Sequence, residues 1–198
     1  MNLPNKLTVL RILLVLIMII IPFIGIQGEV LGVPITCIVL DAIFIIASIT
    51  DKLDGQIARK TNQITTFGKF LDPIADKILV LTAMIMLVEM GRLPAWIPSI
   101  VAFREFIVSG YRLVAVQSSG NVIAASIWGK LKTVTQMIAI ILAFIDVNKY
   151  GAIFTEGLTG FSLVLNILTT LMMTISVIAT IFSGWDYIKH GKDLLKDM

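Results

Sequence analysis

The sequence predicts an all-α, polytopic membrane protein with six transmembrane helices. Three observations predict it: 57% of the 198 residues are hydrophobic against 15% charged, the mean hydropathy is +0.95, and apolar runs near spanning length recur along the chain. Soluble domains are about 25% charged and roughly half apolar, so this composition points away from water. A soluble globule, a nucleic-acid-binding basic domain and a disulfide-stapled secreted protein all fit poorly. Cys37 is the single cysteine, cannot form an intrachain disulfide and sits in an apolar run. One membrane-embedded domain over residues 1–198 is expected, with no sizeable soluble one.

A span needs about 20 mostly apolar residues. The expected spans are 7–26, 30–50, 73–90, 94–116, 123–145 and 158–182. The first, second and sixth meet that length comfortably, whereas the third is short. The first is too long for a signal-peptide core and lacks a small-residue cleavage site, so it reads as a retained span. Arg104, Glu105 and Arg112 interrupt the fourth, and Lys130 and Lys132 the fifth. A mid-helix Arg or Lys facing lipid costs about 2.5–3.5 kcal/mol. These residues therefore either snorkel from helix ends or line a polar cavity.

Lys and Arg concentrate on one set of loops. Lys6, Arg11, Lys52, Arg59, Lys60, Lys69, Lys77, Arg112, Lys130, Lys132, Lys189, Lys192 and Lys196 fall on one side, and Arg92 and Lys149 on the other. The positive-inside rule then puts both termini in the cytoplasm. The polar stretch between the second and third spans continues directly from the apolar run. The second helix is expected to run past Arg59, with a turn at TNQITT and a new helix near Thr66 or Phe67 that tolerates Pro73.

Four carboxylates lie on these two helical extensions. Asp51 and Asp54 are three positions apart, about 4.5 Å in rise, and Asp72 and Asp76 are four apart, about 6 Å in rise, so each pair shares a helix side. A hairpin brings the pairs opposite each other, where the acids repel unless cations hold them. Hard divalent cations suit such oxygen ligands. Gly55 and Ala58 follow Asp51 on its side and Gly68 precedes Asp72 on its own, which allows close backbone approach or a bulky polar ligand. The competing reading is ordinary ion pairing with Lys52, Arg59, Lys60, Lys69 and Lys77. Two metals can clamp a phosphoryl group, and Arg59 can bind further phosphate oxygens, so a diphosphate at the inner membrane surface is the expected substrate class.

The arrangement Asp51, Asp54, Gly55, Ala58 and Arg59, then Gly68, Asp72 and Asp76 after eight intervening residues, resembles the signature of the CDP-alcohol phosphotransferases. The resemblance implies six membrane helices around a cytoplasm-facing cavity, a homodimer, and phosphoryl transfer from a CDP-linked donor to an alcohol with release of CMP. It implies that Asp51, Asp54, Asp72 and Asp76 hold two divalent cations per subunit, Mg²⁺ or Mn²⁺, with Asp76 as general base. It also implies that Gly55, Ala58, Arg59 and Gly68 receive the CDP-lipid.

Flanking residues Asn5 to Arg11, Arg104 to Phe106, Gly110 to Arg112 and Gly129 to Gln136 resemble bacterial members that join CDP-diacylglycerol to glycerol 3-phosphate. That acceptor is a small dianion and needs cations beyond the metals, for which Arg104, Arg112, Lys130 and Lys132 are the candidates. Asn5, Thr8 and Arg11 either line the cavity, Thr8 on the CDP-lipid side, or, for Asn5 and Thr8, cap the first helix. Serine, inositol phosphate or phosphatidylglycerol as acceptor, and a divalent-cation transporter, are the alternatives. A transporter would need acids or polar groups along a route to the outer face, and the sixth run is expected to hold almost none. Asp41 is expected to be buried, and either paired or protonated. Trp96 and Trp185 read as interface anchors, and Asp146, Tyr150 and Glu156 as outer-loop residues.

Overall fold

In the computed structural model the described residues are 2–60, 66–118 and 127–190. They form α1 (Leu3–Ile24), β1 (Glu29–Val30), β2 (Val33–Pro34), α2 (Ile35–Lys60), α3 (Thr66–Glu89), α4 (Trp96–Ser118), α5 (Ile127–Ile145), a short 3₁₀ turn (Ala152–Phe154) and α6 (Gly160–His190). The all-α expectation holds apart from one small hairpin. Among the described residues, however, only Leu3–Ile24, Ile127–Ile145 and Gly160–Lys189 are long and apolar enough to cross a membrane. The six-span expectation is corrected to three. The physical reason is charge: Asp41 and the Asp51–Asp54 cluster interrupt α2, Asp72, Asp76 and Lys77 interrupt α3, and Arg104, Glu105 and Arg112 interrupt α4. The chain is a multi-pass membrane protein.

The chain divides into two compact units, residues 1–93 with 141–149 and residues 94–140 with 150–198. In the first unit α1 packs on α2 and α3, and α2 packs on α3. Pro4, Asn5, Thr8, Arg11, Val15, Met18 and Ile21 form the buried seam of α1. Their three- and four-residue spacing is that of a single helix face. Leu10, Leu13, Leu16 and Ile20 are exposed on the same helix, as expected for a lipid-facing side. Ala47, Ala75 and Ala83 are fully buried on α2 and α3. Small side chains let membrane helices approach closely.

α1 ends at Gly25 in the left-handed region, φ 68°, which a residue without a Cβ adopts at no steric cost. The expected second span began at 30, but residues 29–34 instead make the hairpin. Leu31 and Gly32 turn it with φ of 54° and 78°, and Val30 pairs with Val33. Two positive φ values are what a tight two-residue hairpin requires. α2 then runs to Lys60 and α3 starts at Thr66, passing through Pro73 unbroken. Both helical extensions are therefore present, and the TNQITT turn lies mostly outside the described residues.

Arg92, read from sequence only as an outer-loop residue, is buried and donates from Nη1 to the carbonyls of Ala143 at 3.2 Å and Phe144 at 2.7 Å. It satisfies carbonyls in the last turn of α5, where a cation also suits the helix dipole. In the second unit α4 packs on α6. Asn166, Thr169, Thr170, Ser176, Thr180 and Ser183 are buried on α6, so this helix is more polar on its packed side than its apolar length implied. Thr169 and Thr180 turn their hydroxyls back to the carbonyls of Leu165 and Ser176, and Asn166 accepts from the backbone of Ile153. Tyr150 bonds Thr174 and stands edge-on to Trp96, and Trp128 stacks on Phe182.

Candidate active site

The four aspartates of the motif all belong to the first unit, on the C-terminal part of α2 and the N-terminal part of α3. Three of them meet one guanidinium. Arg11 of α1 contacts Asp51 at 3.1 Å and Asp76 at 2.8 Å through Nη1, and Asp54 through Nη2. Asp72 accepts a 2.6 Å hydrogen bond from the Thr8 hydroxyl, one helical turn before Arg11 on the same face. That hydroxyl also lies 3.2 Å from the Pro4 carbonyl. α1 thus supplies a polar partner to each acid, and Asn2, not Asn5 or Thr8, is the N-cap of that helix. Gly68 is buried on α3, as close approach requires. The side chains of Ala58, Arg59 and Arg112 lie outside the described residues.

Burial decides the electrostatics. Arg11 is fully buried and the Asp54 side chain nearly so, while those of Asp51 and Asp76 keep 36% and 48% of their surface. Burial pushes the Asp54 carboxyl up to about 6; Arg11 opposes the shift, and Asp51 and Asp72 add to it. Asp76 rises to about 7, first through desolvation and then through the charge of Asp51, again against Arg11. Asp76 therefore combines partial access to solvent with a carboxyl raised above the usual aspartate range.

The donor chemistry suits divalent cations: four carboxylates converge, and one buried guanidinium cannot balance their charge. Among the described residues, no group of three or more acidic, Cys or His side chains is already arranged as a metal cage. Three of the carboxylates, those of Asp51, Asp54 and Asp76, close on Arg11. A cavity of about 480 Å³ elsewhere in the first unit is lined by Glu29, Thr36, Cys37, Met90 and Arg92 among others, and by none of the motif's acids.

The second unit holds the cationic candidates. Glu105 Oε1 accepts from Arg104 Nη1 at 3.0 Å and from Lys132 Nζ at 2.6 Å. Arg104 also donates to the Ser183 hydroxyl and lies 5.7 Å from the Tyr187 ring centre, within cation–π range. Its Nε is buried without a hydrogen-bond partner among the described residues. Burial alone would raise the Glu105 carboxyl, but Lys132 and then Arg104 hold it below the usual glutamate range. Arg104 and Lys132 are thus brought together, whereas Lys130 is exposed. Asp41 is buried, and its Oδ1 has no hydrogen-bond partner among the described residues.

Sequence reasoning placed Arg11 only along a cavity wall and missed it as the hub of the acids. An Arg inside an apolar run is costly unless paired, and Thr8 and Arg11 share a face; together these are the signal that pointed to the acids.

Apolar membrane-crossing helices and four facing carboxylates define a multi-pass membrane protein with an acidic polar site in its first unit. Residues 1–182 match the CDP-alcohol phosphatidyltransferase family, and the chain belongs to it. It is 42% identical over 200 residues to the CDP-diacylglycerol–glycerol-3-phosphate 3-phosphatidyltransferase of Bacillus subtilis (strain 168), covering 98% of this chain and 97% of that one. The proteins of the same name from Rickettsia typhi and Haemophilus influenzae are 36% and 34% identical, over 96% and 99% of this chain and 97% and 96% of theirs. The chain is an enzyme of this family.

Proposed function

We propose that the protein transfers the phosphatidyl group from CDP-diacylglycerol to sn-glycerol 3-phosphate, giving phosphatidylglycerophosphate and CMP. The observation that carries this reading is the convergence of Asp51, Asp54 and Asp76 on one buried point beside Asp72. Near-full-length similarity to relatives bearing that activity in their names supports the acceptor. The whole chain acts as one catalytic domain, as a homodimer in the lipid bilayer, and needs no nucleic acid.

Asp51, Asp54, Asp72 and Asp76 would hold two divalent cations, Mg²⁺ or Mn²⁺. When bound, such ions neutralise phosphoryl oxygens and stabilise the leaving phosphate. The remaining chemistry belongs to the chain. Gly55, Ala58 and Gly68 leave room for the cytidine diphosphate, Thr8 fixes Asp72, and Arg59 pairs with the donor's phosphates. Arg104, Arg112, Lys130 and Lys132 are the cations proposed for the acceptor's phosphate, with Glu105 orienting Arg104 and Lys132. The acceptor's primary hydroxyl oxygen bonds to the phosphorus carrying diacylglycerol as the bond from that phosphorus to CMP breaks. The hydroxyl proton passes to Asp76, and CMP leaves as an anion. Alignment and fixed charge supply most of the acceleration.

The cluster of Lys and Arg beside the acid-bearing ends of α2 and α3 supports a site facing the cytoplasm. The test is to give purified protein CDP-diacylglycerol and Mg²⁺ and offer glycerol 3-phosphate, serine, inositol phosphate and phosphatidylglycerol in turn. CMP release is expected with glycerol 3-phosphate. Release with another alcohol alone reassigns the acceptor, and Mn²⁺ flux into liposomes without CMP release replaces the enzyme by a transporter.

A further inference from the structure

Arg11 occupies a place that general electrostatics leaves unstable unless it has a purpose. A fully buried guanidinium is costly unless it is paired. Here pairing comes from three acids on two other helices: Nη1 is shared by Asp51 and Asp76, and Nη2 serves Asp54. The fit is partial, because Nε is buried without a hydrogen-bond partner among the described residues. One positive charge also faces three negative ones, with Asp72 beside them on Thr8.

We infer that Arg11 is the internal counter-cation of the metal-free site, holding Asp51, Asp54 and Asp76 together and competing with divalent cations for them. This rests on the divalent-cation reading above. Without Arg11 the three carboxylates face one another without the guanidinium between them and the metal-free protein loosens. The same loss removes the competitor, so divalent cations bind more tightly. Arg11 is a positioning residue whose presence weakens metal affinity while it keeps the empty site assembled.

The test uses the full-length protein in detergent, stripped with EDTA, without lipid substrate. Free Mn²⁺ is followed by electron paramagnetic resonance during titration, and thermal unfolding is recorded with and without Mn²⁺. Arg11→Met is expected to melt earlier than wild type when metal-free, to recover most of that loss with Mn²⁺, and to bind Mn²⁺ at least tenfold more tightly. Arg11→Lys keeps a charge on a narrower head that reaches fewer acids, so it should tighten Mn²⁺ binding several-fold. It decides the matter if Arg11→Met does not fold. Wild-type binding with equal or weaker affinity in the variants overturns the role of Arg11 and leaves the metal reading standing. Mn²⁺ binding by none of the three proteins overturns both.

Discussion

The Thr8 hydroxyl donates to Asp72 Oδ1 at 2.6 Å, joining α1 to α3 across 64 positions of sequence. A hydrogen bond to a charged acceptor contributes about 1.5–3 kcal/mol. Thr8→Val keeps the volume and removes the donor, leaving Asp72 free to turn. The divalent-ion concentration for half-maximal activity should rise by about tenfold, the effect of ~1.4 kcal/mol. Thr8→Ser should restore it. An unchanged metal requirement in Thr8→Val would show that Asp72 is fixed without this bond.

Asp76 and Asp72 should separate by readout. Removing a general base typically loses about 10²–10⁴-fold in rate. Asp76→Asn is expected to lose turnover on that scale while still binding CDP-diacylglycerol. Asp72→Asn should instead weaken Mn²⁺ binding itself. If Asp76→Asn turns over normally, the acceptor's proton goes elsewhere.

Arg92 tests the scaffold. Its Nη1 bonds the Ala143 and Phe144 carbonyls, and the side chain is buried. Arg92→Met removes both bonds and leaves carbonyls in the last turn of α5 unsatisfied, at about 1–3 kcal/mol per buried group. A clear fall in thermal midpoint is expected in detergent, with KM for glycerol 3-phosphate unchanged. A midpoint equal to wild type would mean that water replaces the guanidinium there.

Glu105 supplies a pH dependence. Lys132 and Arg104 outweigh burial and hold its carboxyl below the ordinary glutamate range. A carboxyl lowered on folding stabilises above its unfolded pKa, about 4.3, and this contribution is lost as pH falls through the folded value. The midpoint gap between wild type and Glu105→Gln should be full at neutral pH and shrink progressively below about pH 4. A gap constant throughout acidification would remove the ion pairs as its source.

The sequence by itself determined the local facts. Hydrophobic run length made the chain helical and membrane-bound. Spacings of three and four put Asp51 with Asp54 and Asp72 with Asp76, and the polar run between them predicted two extensions joined by a turn. These are readable because helical period and backbone preference act over a few residues. Charge distribution was equally readable, but its consequence for α2, α3 and α4 was misjudged: apolar content alone suggested spans that their acids and bases deny.

Only the tertiary structure decided which charges meet. Arg11 reaches acids 40 to 65 positions away, Arg92 reaches the end of α5, and Glu105 lies between Arg104 and Lys132 rather than beside one of them. A buried charge takes its partner from whatever the packing brings within about 4 Å. That choice belongs to helix contacts, which no stretch of neighbouring residues encodes.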